Sequence, residues 1–272
     1  MSLPFAGPEL AKRLERAEGH ACAQYAVARR RVFPESGAEW MKRAGTFVVF
    51  DGIDSPVTQT FGLGLFEEAT DAALQDIERF FRDRGAPIFH EVCPFAGIAT
   101  LDLLCDRKYK PLELSNVMYR MVEEPASKAA ADISVRVVGT DEAKLWSEVS
   151  ARGWAHEHPE FLDFLLDLGV ISAARENTAC FLAELHGQPG AAGVLSLHEG
   201  IALFGGASTV PEMRRKGLQS ELLKARMRYA AEHGCDLAMM VAQPGSDSQR
   251  NAERQGFRIA YTRTKWQLAD HG

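Results

Sequence analysis

The segment Ser208–Arg226 reads STVPEMRRKGLQSELLKAR, and the fold of the chain can be inferred outward from it. A β-rich run ends before Pro211, and an amphipathic helix follows with Leu218 and Leu222 on its apolar side. Gly217 therefore stands near the start of the helix. A strand that passes through a short turn into a helix predicts an α/β protein.

The turn has the composition of an anion-binding site. A helix N-terminus presents free N–H donors and the positive end of the helix dipole, which together favour phosphate. Gly217 lets an anion approach the backbone closely, and Arg214, Arg215 and Lys216 supply positive charge. A pyrophosphate group fits this pattern. The alternative is a solvated basic turn without a ligand.

Composition predicts a soluble globular protein of two domains. The chain has 272 residues, of which 46% are hydrophobic and 25% are charged, as in ordinary globular proteins. No apolar run approaches the ~20 residues that a membrane span needs, so no membrane partner is expected. The net charge of −6 disfavours nonspecific binding to nucleic acid.

The cysteines and the first residues indicate a reducing compartment. Five cysteines without a CxxC pair predict buried thiols rather than a disulfide framework or a structural zinc site, and no metal is expected. The first 25 residues lack the basic and apolar segments of a secretory signal. We therefore expect a cytoplasmic protein.

Helix and strand patterns divide the chain into two similar halves. Residues 1–124 predict the order helix, strands, helix, strand, helix, strand. Residues 133–272 predict a strand, two helices, three strands, and then a closing series of helix, strand, helix and strand. The segment of about 125–132 is small and polar, which is typical of a linker.

The last parts of the two halves have matching patterns. Gly85 to Tyr109 spans 24 positions and Gly234 to Phe257 spans 23, and both intervals contain a strand followed by a helix. This correspondence indicates an internal duplication. Chance similarity is the alternative, because units of this kind share turn residues.

The two halves differ in charge at the position of the basic turn. Residues 209–228 carry six basic and two acidic residues, a net charge of +4, whereas residues 62–81 carry one basic and five acidic residues, a net charge of −4. An equivalent turn in the first half would repel phosphate. The anion site is therefore expected once, in the second half.

The basic turn resembles the acyl-CoA turn of the GNAT family of N-acetyltransferases. In that family a signature R/Q-x-x-G-x-G/A joins the fourth strand to the central helix, and here residues 214–219 read RRKGLQ. The resemblance extends to the pair Gly256 and Phe257 and covers roughly residues 133–268, while residues 1–124 resemble the same fold with the cofactor turn lost. It implies an α/β (α+β) fold of two GNAT-like domains, each a mixed, mostly antiparallel sheet flanked by helices.

The resemblance also implies acetyl-CoA as co-substrate. The pantetheine arm would pair with the strand at 207–210, and the pyrophosphate would bind the backbone of 215–220. The residues implied in cofactor binding are Ser208, Thr209, Val210, Arg214, Arg215, Lys216, Gly217, Leu218, Gln219, Ser220 and Asn251.

The catalytic residues depart from the family pattern. Gln219 stands where the signature has glycine or alanine, and Ala252 replaces a tyrosine that often protonates the thiolate. The predicted fourth strand also lacks a carboxylate. Substitutes are Glu199 as a base acting through water, Ser208 as a hydrogen-bonding group for substrate or thiol, and Tyr261 as a proton donor. An exposed turn, a satisfied strand hydroxyl and core packing are the respective alternatives.

We therefore expect an acetyl-CoA-dependent N-acetyltransferase that transfers the acetyl group directly to a small amine. One alternative is a non-catalytic CoA-binding sensor or assembly module. Another is a structural protein whose basic turn binds an acidic partner. The sequence leaves the oligomeric state open, a homodimer included.

Overall fold

A computed structural model of the chain describes residues 3–123, 130–154 and 162–269. Residues 125–129 of the predicted linker lie outside these ranges. The chain divides into two compact units. Unit 1 comprises Met1–Arg120 and Met239–Gly272, and unit 2 comprises Met121–Ala238.

The helices and strands follow one another in the predicted order. They are α1 (Pro8–Val32), β1 (Glu39–Arg43), β2 (Thr46–Phe50), β3 (Gln59–Phe61), α2 (Asp71–Arg82), β4 (Phe89–Val92), α3 (Ile98–Asp106), β5 (Tyr109–Met121), β6 (Ile133–Val137), α4 (Ala143–Trp154), α5 (Leu162–Ala174), β7 (Thr178–Leu185), β8 (Gln188–His198), β9 (Ile201–Thr209), α6 (Leu218–Glu232), β10 (Leu237–Ala242), α7 (Asp247–Arg254) and β11 (Arg258–Leu268). The series α2-β4-α3-β5 and α6-β10-α7-β11 repeat each other, which agrees with an internal duplication. Sequence analysis missed β1, whose polar residues do not alternate with apolar ones.

The strands of unit 1 follow the order β1-β2-β3-β4-β11-β5. The pair β3 and β4 is parallel, with Thr60 opposite His90, and the other neighbours are antiparallel. The last strand of the chain, β11, lies between β4 and β5. For this reason residues 239–269 belong to unit 1, whereas the predicted boundary followed the two halves of the sequence.

Helices cover this sheet through apolar faces. The second helix, α2, buries Leu74, Ile77 and Phe81 together with Val48 of β2 and Val92 of β4. The hydroxyl of its N-cap residue accepts a hydrogen bond from the third residue of the helix, so α2 begins with a side-chain cap. Burial of three large apolar side chains is worth several kcal/mol and holds α2 on the sheet.

The strands of unit 2 form an antiparallel meander in the order β6-β7-β8-β9. Trp146 and Val149 of α4 pack against Leu182 of β7 and Val194 of β8. The indole N–H of Trp146 donates to the Phe181 carbonyl at 2.9 Å, so this buried side chain is also satisfied. The sheet strands are thus mostly antiparallel and flanked by helices, as predicted. No helix within the described ranges has both the length and the apolarity that a bilayer span requires.

Candidate functional site

The basic turn connects β9 to α6 through a 3₁₀ turn at Pro211–Met213. Gly217 is the N-cap residue of α6, with φ of 90°, and no side chain caps the helix. Arg215 also has a positive φ, of 62°. A left-handed backbone costs a non-glycine residue roughly 1–2 kcal/mol. The turn therefore keeps a strained conformation that leaves the start of α6 open.

Five successive N–H groups at this turn are available as donors. The N–H groups of Ser220 and Glu221 both donate to the Gly217 carbonyl, at 3.0 and 3.2 Å. The N–H groups of residues 215–219 donate to no acceptor within the described ranges. Free donors at a helix start, aided by the helix dipole, favour an anion.

The space beside Gly217 is also open. A Cβ atom added there would have one described heavy-atom neighbour within 4 Å, the Cδ1 atom of Ile133 at 3.5 Å. Gly217 is exposed, so its backbone is accessible from solvent. The exposed donors, the positive charge and the open space beside Gly217 thus have the chemistry that a phosphate group needs.

The polar side chains of the turn have two different roles. Arg214 donates from Nε to the Thr209 carbonyl at 3.3 Å and from Nη2 to the Gly153 carbonyl at 3.2 Å. Gln219 donates from Nε2 to Oγ1 of Thr209 at 2.7 Å. These two side chains brace the turn against the end of β9.

The exposed cations, Arg215 and Lys216, form no ion pair or hydrogen bond with any residue the structure describes. Their positive charge is therefore available to a ligand. Of the three cations that the sequence brings together, two stay available and Arg214 holds the turn in place.

The side chains of Ser208 and Val210, at the end of β9, are buried in the interior of unit 2. Ser208 is buried, and its hydroxyl donates to the Ser150 carbonyl of α4 at 3.0 Å. Val210 is 1% exposed and packs in the core. A ligand running along this strand would meet backbone rather than these side chains. The contact of Ser208 favours the alternative of a satisfied strand hydroxyl.

A β-bulge interrupts β9 before Ser208. Ala192 pairs with Ser208 and Val194 pairs with Gly205, so two residues of β9 face one residue of β8. Gly206 has φ of 54°, the left-handed conformation that such a bulge requires.

The guanidinium of Arg226 lies against this bulge. Arg226 is 3% exposed and donates to the carbonyls of Val194 at 3.2 Å and Gly205 at 3.3 Å. Sequence analysis counted Arg226 only as one of the basic residues. Its spacing of four from Leu222, and of eight from Leu218, was the signal that it shares their buried side of α6.

Glu199 lies at the opposite end of β9 from the basic turn. It occupies the hairpin between β8 and β9, with φ of 44° and a side chain that is 64% exposed. Nine residues of β9 separate the hairpin from the turn, and a strand advances about 3.3 Å per residue, so the two ends lie roughly 25–30 Å apart. The structure thus does not bring Glu199 together with the cofactor residues at 214–219.

Tyr261 and Asn251 belong to unit 1. The hydroxyl of Tyr261 donates to Oε1 of Glu15 at 2.9 Å, beside a paired Arg263 and Glu18. Burial raises the pKa of Tyr261 well above its usual value and raises the pKa of Glu15 to about 7. These contacts favour a structural role for Tyr261. Asn251 is exposed on α7.

The fold is that of an α/β protein, and the open start of α6 combines a basic turn with exposed backbone donors at a helix N-terminus. Residues 142–257 match the acetyltransferase (GNAT) family. The matched segment contains the basic turn and α6. The match ends at Phe257. Phe257 is the second residue of the Gly-Phe pair on which the resemblance in sequence also rests. No curated protein sequence matches the chain.

Solved structures are similar to the chain over most of its length. A GCN5-related N-acetyltransferase from Kribbella flavida has a TM-score of 0.63 at 16% identity and covers 92% of this chain and 96% of its own. A GCN5-related N-acetyltransferase from Sphaerobacter thermophilus has a TM-score of 0.54 at 15% identity, with 99% and 98% covered. A tandem GNAT protein from the clavulanic acid biosynthesis pathway has a TM-score of 0.56 at 12% identity, with 84% and 79% covered. At these identities the likeness concerns the fold.

Proposed function

We propose that the protein is an acetyl-CoA-dependent N-acetyltransferase that holds its co-substrate at the turn 214–220 and acts on a small amine. The observation that carries this proposal is the row of N–H groups at 215–219, beside the cations Arg215 and Lys216, that have no partner among the described residues. In the same proposal, residues 133–272 form the cofactor-binding half, and residues 1–124 form a GNAT-like domain without a cofactor turn.

The backbone and the side chains of the turn have different roles in binding. Backbone N–H groups of 215–219 donate to phosphate oxygens, and Arg215 and Lys216 supply charge-assisted contacts. Arg214 and Gln219 keep the turn in position through Thr209 and Gly153. Backbone groups at the end of β9, at 208–209, pair with the extended arm, as a peptide adds to a sheet edge. Bound acetyl-CoA supplies the thioester from which the acetyl group is transferred.

The acceptor is proposed from the charge of the chain and the activity of its family. An amine is the group to which an N-acetyltransferase transfers. A net charge of −6 favours the approach of a cationic small molecule over that of an anionic one. The five cysteines, all within the described residues, form no disulfide, which supports a reducing compartment such as the cytoplasm.

Titration calorimetry followed by a turnover assay tests the proposal. We expect acetyl-CoA to bind and dephospho-CoA, which keeps the diphosphate, to bind as well. Pantetheine, which lacks the diphosphate, should bind far more weakly. A panel of small amines is then scored for CoA release that depends on the amine. Absence of heat with acetyl-CoA, for a protein with an intact thermal transition, would refute the proposal.

A second candidate function is a CoA-binding sensor without turnover. It is favoured by the hydroxyls of Ser208 and Tyr261, which donate to acceptors within the protein, and by the distance of Glu199 from the turn. None of these three predicted catalytic residues carries the enzymatic proposal. Tight acetyl-CoA binding without amine-dependent CoA release would favour the sensor.

A further inference from the structure

Arg226 is a buried cation without a buried anion. The guanidinium donates to three backbone carbonyls, those of Leu222, Val194 and Gly205, and lies 5.0 Å from the centre of the Phe204 ring. No carboxylate in the described parts of the chain forms an ion pair with it. Burial lowers the pKa of Arg226 to about 10. An apolar side chain would fill this place at a lower desolvation cost, so the guanidinium calls for a specific role.

The shape of the bulge is matched to the guanidinium. A Cβ atom on Gly193 would come within 3.1 Å of Cζ and Nη1 of Arg226. Gly206, which lies in the bulge opposite Gly193, has a left-handed backbone. The planar group therefore lies directly against the backbone of Gly193. It bonds one carbonyl of β8 and one of β9, those of the pair Val194 and Gly205 that borders the bulge.

The same helix carries both the anion-binding turn and Arg226. Nine residues separate Gly217 from Arg226, which corresponds to about 13 Å along a helix that rises 1.5 Å per residue. A ligand anchored at 215–219 and extended along 208–210 continues toward the bulge at 206–207. The acyl end of that ligand then approaches the backbone that Arg226 holds.

We propose that Arg226 is a positioning residue that fixes the β9 bulge relative to α6, so that the bulge backbone is aligned with the acyl group of the bound co-substrate. This inference rests on the proposed function for its catalytic consequence. The immobilisation of the bulge by Arg226 is inferred from the contacts alone.

The variants Arg226→Leu and Arg226→Lys test this role. We expect R226L to lower kcat more than tenfold and to leave the KM for acetyl-CoA within about twofold, since the turn at 215–219 is untouched. R226K keeps the charge and one donor group, so it should recover part of kcat. Arg228→Leu, at an exposed position of the same helix, is the matched control and should behave as the wild type.

Gly193→Ala tests the same contact without removing the charge. The new methyl group would lie 3.1 Å from Cζ and Nη1 of Arg226, so the guanidinium must shift by a few tenths of an ångström, and kcat should fall in the same direction as in R226L. The double variant R226L/G193A should lose little more than either single variant, because both act on one contact. A kcat for R226L equal to that of R228L would overturn the proposal, as would full additivity of the two single changes.

Hydrogen exchange separates the failure of this inference from the failure of the proposed function. Amide exchange at residues 205–207 should accelerate at least tenfold in R226L and stay unchanged in R228L. This readout needs no ligand, so it decides the positioning role even if acetyl-CoA proves not to bind. Unchanged exchange at 205–207 in a folded R226L protein would overturn the inference, whatever the activity.

Discussion

The basic turn before α6 and its counterpart before α2 occupy the same place in the two halves but are built in opposite ways. Beside Gly217 the space is open, with Ile133 as the near neighbour. In the counterpart at 62–70, a Cβ atom on Gly62 would clash with Phe66, and one on Gly64 would clash with Thr100. The first half fills with its own side chains the space that the second half leaves open.

The starts of the two helices differ in the same sense. Thr70 caps α2, since its hydroxyl accepts the N–H of Ala73 at 3.2 Å. The N-cap of α6 is a glycine without a side-chain acceptor. Free donors at a helix start must be satisfied by a side chain, water or a ligand. The comparison teaches that one structural position is a packed joint when it is capped, and that it keeps exposed donors and positive charge, as the proposed anion site needs, when it is left open and basic.

Reversing the charge of the open turn should have the largest effect, which is on the Kd for acetyl-CoA. The double change Arg215→Glu with Lys216→Glu makes the basic turn acidic, like its counterpart. Two charge-assisted contacts are lost, so we expect the Kd for acetyl-CoA to rise by ~100-fold or more in calorimetry, with a flatter salt dependence. Arg228→Glu on the exposed face of α6 is the control, and an equal rise there would show a long-range charge effect.

Crowding the packed turn should have the next largest effect, on stability instead of binding. Gly64→Ala forces a methyl group against Thr100 at a residue with φ of 72°. We expect the free energy of unfolding to fall by about 2–3 kcal/mol in urea denaturation, from overpacking and backbone strain together. The Kd for acetyl-CoA should not change. Weaker binding in this variant would mean that the counterpart turn takes part in the site.

Gly217→Ala tests whether the open space at Gly217 is needed for acetyl-CoA binding. The residue has φ of 90° and its Cβ would meet no close backbone, so the change adds strain and a methyl group in the path of the anion. We expect a Kd for acetyl-CoA about tenfold higher. Gly234→Ala, with φ of 73° and open space at the other end of α6, is matched in backbone strain. The two variants should lose similar thermal stability, and only the first should bind more weakly; equal binding would exclude Gly217 from the site.

Removing the cap of α2 should have the smallest effect. Thr70→Ala leaves the Ala73 N–H without its acceptor, so we expect the free energy of unfolding to fall by about 1 kcal/mol. Ser246→Ala at the start of α7 removes a cap of the same kind and should cost a similar amount. Acetyl-CoA binding should be unaffected in both. A T70A protein as stable as the wild type would show that packing alone, without the cap, stabilises the start of α2.

Much of the structure of the basic turn could be predicted from sequence, because its signals are local. Gly217, the three cations and the helix that follows lie within a few positions of one another. Arg214 was predicted as a ligand-binding cation, and its contacts with Thr209 and Gly153 assign it a bracing role that depends on where α4 lies. The acid and base could not be predicted, since a proton-transfer group is defined by distances across the fold.

The sequence by itself determined the order of helices and strands, the mostly antiparallel α/β class and the place of the basic turn, because periodicity, glycine and proline positions and charge act on neighbouring residues. Only the tertiary structure decided that β11 lies between β4 and β5, and that Arg226 rests on the bulge at Gly193 and Gly206. Alternation along a strand fixes which side chains face inward but not which strand lies beside it. Those choices are made by contacts between residues far apart in the chain.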